Sequence, residues 1–377
     1  MLLKKTVNIL FFSFNTIFSY SQIDNSNLFS ANTDSILKPQ TVIGFVFENT
    51  NYLKNTEYKS NIEQGATWAG SQFHPQIVLK DKNKFSFKAG IFIQKDFGNN
   101  SFRNLIPTYT FSYATNNIKV NFGTLEGSLD HNLIEPIYAI ENYIDKRIEN
   151  GLQFKGKYKK LTFDNWIDWE KMIYRTSKTQ EIFTTGFCNT LNIFNNDNFK
   201  LNVPVQIIAR HHGGEIYAYP HVPIKTQFDF AYGTSFKFLS PKNKKNYLKL
   251  DVFFTFYEDL SPTKADSFFD GTGQFITLSY KKNNTTIMIN YWDAHQYISP
   301  LAEPILVSKS REYPGIYIQY RKMAMFRLFY EIKKKNTWAL VARVNNIYDF
   351  SEKSYNNSVD VFFKYNFGYS FRSRRLL

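Results

Sequence analysis

Residues 359–371 read VDVFFKYNFGYSF. Val359, Val361, Phe363, Tyr365, Phe367, Tyr369 and Phe371 fall on one side of an extended chain. Asp360, Phe362, Lys364, Asn366, Gly368 and Ser370 fall on the other. A repeat of two is the pattern of a strand with one apolar face. The run far exceeds the ~5–6 residues of an ordinary soluble strand. It covers the ~9–11 residues that a tilted strand needs to cross a bilayer.

The same alternation extends back through the chain. Segment 84–97 sets Phe85, Phe87, Ala89, Ile91 and Ile93 against Ser86, Lys88, Gly90 and Gln94. Segment 198–210 sets Phe199, Leu201, Val203, Val205 and Ile207 against Lys200, Asn202, Gln206 and Arg210. Sixteen such runs lie between residues 41 and 371, and 14–18 strands are compatible with the pattern. One run, 312–333, reads as a single long strand, because Ile316, Ile318, Tyr320, Ala324, Phe326, Leu328 and Tyr330 hold phase. Every second connection is short and polar, such as Thr115-Asn116-Asn117, Lys159-Lys160 and Lys281-Lys282-Asn283-Asn284. The others are longer: 53–65, 127–147, 212–224, 260–270 and 297–311 among them. Short turns on one side and long loops on the other mark a closed, antiparallel, all-β transmembrane barrel. An even strand count puts both chain ends in the periplasm and the long loops outside. A secreted soluble sandwich has shorter strands, and its apolar faces meet a core instead of lipid.

Composition agrees. The 377 residues carry 46 Lys+Arg, 32 Asp+Glu, one Cys and 18% aromatic residues. A mean hydropathy of −0.38 excludes a polytopic helical membrane protein. One cysteine excludes a disulfide framework and a cysteine zinc site. Residues 1–21, MLLKKTVNILFFSFNTIFSYS, have the cationic start, short apolar stretch and small-residue cut of a secretory signal peptide. The expected organisation is a removed signal at 1–21, a periplasmic segment at 22–40, the barrel at 41–371 and a basic tail at 372–377. The expected location is the outer membrane of a Gram-negative cell. The Ser-Gln cut and the abundance of Asn, Lys and Phe resemble exported proteins of the Bacteroides–Flavobacterium group.

With the apolar face on lipid, the other face lines the lumen. Alternation sends Asp164, Trp166, Asp168 and Glu170 inward, with Arg210, Asp229 and Asp251 on later strands. Arg321, Arg327, Arg343 and Lys364 point inward on the last three. In a ring of sixteen, the acidic strand lies opposite the basic ones, a field that orients dipolar solutes. The longest loop, 127–147, carries Asp130, Glu135, Glu141 and Asp145 with an apolar stripe of Ile134, Ile137, Tyr138 and Ile140. Here the chain resembles the sixteen-stranded general porins, whose loop after the fifth strand folds inward and faces an arginine cluster. The resemblance is architectural and implies passive diffusion of small hydrophilic solutes. The run Val344-Asn345-Asn346-Ile347-Tyr348-Asp349 resembles the penultimate strand of TonB-dependent receptors, but the length and plug domain of those receptors are missing.

Other chemistry is sparse. His211 and His212 are weak metal candidates, because neighbours on a strand point to opposite faces. Trp166, Trp169 and Trp292 suit either sugar stacking or an interfacial aromatic girdle, which uses the same residues; the girdle is the expectation except for Trp166, which alternation places inside. A barrel-embedded lipid hydrolase needs a hydroxyl beside a histidine. His74 faces inward without a convincing serine partner, and no GxSxG, HExxH or glycine-rich phosphate loop occurs. The expectation is therefore a channel without enzymatic activity or cofactor. A second reading is an adhesion or assembly barrel acting through its outer loops. Expected partners are outer-membrane lipid, lipopolysaccharide, small solutes and a second copy of the chain, but not nucleic acid, since the excess lysines lie in short turns.

Overall fold

The computed structural model describes residues 37, 41–81, 84–174, 177–213, 222–334 and 337–373. The signal-peptide reading, segment 22–40 apart from Leu37, and the last residues of the tail lie outside them.

Sixteen antiparallel strands close into one barrel. They are β1 (Thr41–Glu57), β2 (Thr67–Asp81), β3 (Phe85–Asp96), β4 (Asn104–Ala114), β5 (Ile118–Thr124), β6 (Asn150–Tyr158), β7 (Leu161–Lys171) and β8 (Glu181–Asn195). The other half comprises β9 (Phe199–Gly213), β10 (Lys225–Leu239), β11 (Tyr247–Asp259), β12 (Asp270–Lys282), β13 (Thr285–His295), β14 (Tyr320–Lys334), β15 (Trp338–Asp349) and β16 (Ser354–Ser373). Closure comes from β1 against β16, in register from Glu57↔Asn357 through Gly44↔Ser370. A sealed ladder leaves no lipid-facing edge with unmet backbone groups.

The side chains sort as the alternation requires. Val359, Val361, Phe363, Phe367, Tyr369 and Phe371 are exposed on the outer wall, while Asp360, Phe362 and Lys364 are buried within. Two of the expected assignments are corrected. Trp292 is completely buried in the lumen instead of belonging to the girdle, and its indole N–H donates to Leu306 O at 2.9 Å. The run 312–333 is not one strand, since β14 begins at Tyr320. Gly315 takes a φ of 85° and turns the chain, so residues before it belong to the preceding loop. Ile316 and Ile318 keep phase because a short bridge, Lys309↔Tyr317, also extends the backbone locally.

The lumen is filled by protein. Loop 125–149, containing the short helix α1 (Asn142–Asp145), and loop 296–319 both turn inward. Leu129, Ile134, Ile137, Tyr138, Ile140, Tyr143 and Ile144 join Tyr297, Ile298, Leu301, Ile305 and Leu306 in one apolar cluster. That cluster also takes Phe253, Phe275 and Trp292 from the wall. An apolar stripe on an outer loop has only two dry places to go, and the lumen is the nearer one. Backbone bonds knit the two loops: Ala139 N–H to Leu301 O at 2.7 Å and Glu303 N–H to Glu135 O at 3.0 Å.

The outward placement is testable at Phe363, near the middle of β16. Phe363→Arg is expected to lower unfolding stability in phospholipid vesicles by about 2–4 kcal/mol, the penalty for arginine on a barrel's lipid face near the midplane. Urea titration of the folded protein measures it, and a loss near zero overturns the assignment.

Candidate functional site

The inward residues foreseen from alternation are paired partly by the infolded loops and partly by neighbours on the wall. His131 sits between two carboxylates, Nε2 to Glu149 Oε2 at 2.8 Å and Nδ1 to Asp164 Oδ2 at 3.0 Å. Its ring stacks on Trp166 with centroids 3.4 Å apart. Lys146 reaches Glu170 at 2.5 Å and Asp168 at 3.3 Å, and Arg210 meets Glu170 at 2.7 Å. Glu135 pairs with Arg327 at 2.7 Å, Glu141 with Lys54 at 2.8 Å, and Asp145 with Arg103 at 2.8 Å on the outer side. Asp130 is only partly buried. Arg321 pairs with Asp349 at 2.9 Å and Asp251 with Lys249 at 2.8 Å. Asp229 is buried beside Ser299 and Tyr297, and Arg343 lies between the rings of Phe329 and Phe362. The acidic and basic walls thus face a protein plug instead of each other across water. Between Lys54, Glu135, Glu303 and Arg327 lies a cavity of only about 20 Å³. A cavity of about 410 Å³ lies toward the short turns, lined by Lys237, Lys244, Lys245, Lys281, Lys333 and Arg343.

The His131 clamp has a pH signature. Burial opposes the imidazolium, but Glu149 and Asp164 outweigh it and hold the pKa up from 6.5 to about 9. A raised folded-state value means the stabilisation is fully present below about 6.5 and disappears as pH rises through about 9. The melting temperature is expected to fall across that window, and His131→Gln to flatten the change. A wild-type profile that is level from pH 6.5 to 9 contradicts the clamp.

Of the described histidines, His74 alone has a hydroxyl on one ring nitrogen and a carboxylate toward the other. His74 Nε2 lies 2.9 Å from Thr108 Oγ1, and Nδ1 lies 4.0 Å from Glu48 Oε1. Gln76 Nε2 bridges the longer gap, 3.3 Å from His74 Nδ1 and 3.2 Å from Glu48 Oε1. Three strands supply the set: Glu48 from β1, His74 from β2 and Thr108 from β4. The strand between, β3, offers Gly90, which pairs with both Gln76 and Thr108. A Cβ on Gly90 would stand 2.2 Å from Pro75 O and 2.7 Å from Gln76 Cγ. The missing side chain leaves His74 room to reach across β3. The β2–β3 register skips His74 and Pro75, in keeping with a proline that has no N–H to give. Phe92 packs edge-on against the imidazole at 6.0 Å. From the plug, Arg147 approaches Glu48 at 3.6 Å and Tyr143 OH meets Thr50 Oγ1 at 3.0 Å.

A second pair, His211 Nδ1 with Thr226 Oγ1 at 2.9 Å, faces outward beside Phe183. Its partner His212 points to the opposite face, so the two do not converge, and no cluster of three His, Cys, Asp or Glu suits a metal among the described residues. The sequence pattern located His74 but missed Thr108, because the partner is a threonine two strands away. It missed His131 because the loop's conformation carries no period.

A family model described as Lipid A 3'-O-deacylase-type matches residues 33–373. Solved structures give the fold. OmpTΔL8 of Vibrio cholerae matches with a TM-score of 0.52 at 8% identity, covering 87% of this chain and 100% of that one. OprD of Pseudomonas aeruginosa matches with 0.52 at 7% identity, covering 89% and 97%. OccK11 of the same organism matches with 0.50 at 8% identity, covering 88% and 98%. A comparison with curated proteins found no match. The barrel fold assigns the chain to the outer membrane. The family match overturns the expectation of a protein without enzymatic activity. That expectation rested on missing serine-hydrolase motifs, which are local in sequence, whereas a barrel assembles its side chains across strands.

Proposed function

Because the chain belongs to the Lipid A 3'-O-deacylase-type family, we propose that it is an outer-membrane esterase that releases an acyl chain from lipid A or a similar glycolipid. The observation carrying this reading is the contact between Thr108 Oγ1 and His74 Nε2, with Glu48 behind the imidazole. The roles follow the hydroxyl–imidazole–carboxylate logic. Thr108 Oγ attacks the ester carbonyl as His74 takes its proton. The ester C–O bond breaks and His74 returns the proton to the leaving sugar hydroxyl. Water then cleaves the acyl-threonine by the same route, giving a fatty acid. Nδ1 must carry the imidazole hydrogen for this, on the side that faces Glu48 Oε1, so the Gln76 amide keeps its donation to Glu48 and gives up its contact with Nδ1. Arg147, beside Glu48, supplies a positive charge suited to an oxyanion or a glycolipid phosphate.

Passive diffusion is the second reading. Its support is the basic cavity of about 410 Å³ toward the periplasm, and it requires the plug to move. Export would use the signal at 1–21, with lipopolysaccharide as the surrounding lipid and substrate source.

Purified protein incubated with lipopolysaccharide vesicles is expected to release fatty acid, read by mass spectrometry. Thr108→Val and His74→Asn should each lower the rate about 10²–10⁴-fold, the range for loss of acid–base or nucleophilic partners. Wild-type protein that releases nothing, yet conducts ions in planar bilayers, favours the diffusion reading.

A further inference from the structure

The barrel wall is not of even height. β5 and β6 have 7 and 9 residues, whereas the other strands have 11–20. On β4, Asn104 to Tyr109 pair with β3 but have no register partner on β5, where pairing starts at Thr110↔Gly123. On β7, Trp169 and Lys171 pair with β8, while pairing with β6 ends at Gly151↔Asp168. The outer part of the wall therefore has a notch between β4 and β7, with Thr124 and Asn150 at its floor. Three strand spacings make it about 14 Å across, wider than a hydrocarbon chain.

An unpaired strand edge is costly in lipid, and this one is blunted. Tyr109 N–H is taken by Thr124 Oγ1 at 3.3 Å. Two residues along the same edge stands Pro107, which has no N–H to leave over. On the opposite side, a register shift between Trp169 and Lys171 bends β7 at its end. Inside the notch runs the end of the plug, from α1 to Glu149. It is strapped to the wall outside by Arg103 and Asp145, whose side chains stay 35% and 41% exposed. On the lumen side the same segment is held by Lys146 to Glu170 and Asp168, Arg147 to Glu48 and Glu149 to His131, and the base of the plug by the buried His131–Asp164 and Glu135–Arg327 pairs. The strap is thus the weaker fastening, since exposed ion pairs contribute only ~0–1 kcal/mol.

We infer that this notch is the lateral path by which an acyl chain of an outer-leaflet lipid passes from the membrane to Thr108. The inference rests on the hydrolase reading for its purpose, but not for its geometry. Thr108 belongs to β4, the strand that forms one side of the opening, and lies next to Tyr109 at its floor. The outer surroundings are apolar: Phe97, Phe102, Leu105, Tyr109 and Met172 are all exposed. A lipid tail suits this opening better than a second copy of the chain, because Pro107 removes the donor that strand pairing across the edge would use.

The test uses the full barrel in vesicles doped with a phospholipid bearing a diazirine on its acyl chain. In a Cys188→Ala background, Arg103→Cys and Asp145→Cys are joined after folding by a short bis-maleimide linker. Photolabelling of the unlinked protein is expected on Tyr143 and Arg147, which face the lumen, and to drop at least tenfold when the strap is linked. Lipopolysaccharide deacylation should fall by a similar factor, while p-nitrophenyl acetate hydrolysis stays within twofold. Label confined to outward residues such as Leu105, or equal lumen labelling with and without the linker, overturns the path. So does cross-linking of two chains at the notch. If the wild type releases no fatty acid, the hydrolase reading fails, and the labelling pattern still decides whether lipid enters.

Discussion

Hydrocarbon cannot hydrogen-bond, and the rest of the structure follows from that. Every backbone N–H and C=O in the wall needs a partner within the protein, so sixteen strands close on themselves through β1 and β16. Closure forces a tilted cylinder, and a cylinder forces alternate side chains to opposite solvents. The same rule explains how the notch is finished. Where β5 and β6 stop early, the exposed edge of β4 has Pro107 and a threonine-capped Tyr109. The lipid path proposed above needs an opening, and the polypeptide can leave one only where its backbone has little to satisfy.

The second constraint is charge in a closed space. Loop 125–149 brings His131, Glu135, Glu141, Lys146 and Arg147 into the lumen, and each meets an opposite charge on the wall. Buried pairs of this kind do not make a barrel much more stable than apolar packing would, because desolvation offsets the attraction. They do fix position, since removing either partner strands a charge. The plug is therefore located by its ion pairs and held by its apolar cluster. The two fastenings explain why a loop with an apolar stripe enters a polar lumen at all.

The wall was legible in the sequence because its physics is local and periodic. Residues 359–371 alone give the face, the span and the aromatic exterior, and the short polar turns give the closure order. The interior was not legible, for a specific reason. Lumen side chains obey the same period, so Asp164, Arg327 and Arg343 could be listed as inward, but not who meets them. Their partners come from irregular loops, whose path depends on packing. Trp292 was in fact readable by phase: Ile287 and Ile289 face outward, so Trp292 falls inward with Met288 and Asn290, and the girdle reading passed over that alternation. His74 was visible as an inward histidine and was set aside for want of a serine. Its partner is a threonine two strands away, which no motif spacing encodes.

That distance bears on how a barrel can build catalytic geometry. Neighbouring strands stand about 4.8 Å apart, so side chains two strands apart begin nearly 10 Å from each other at the backbone. An imidazole and a threonine cover that gap only if the residue between them yields its space. Gly90 does so, and its cross-strand neighbours are Gln76 and Thr108. Any larger residue there would press on Pro75 O and on Gln76, the side chain that bridges His74 and Glu48. Glycine in a strand interior weakens the ladder and leaves nothing to pack, which is a poor choice for a wall alone. It is a sound choice for a wall that must let two functional groups meet across an intervening strand.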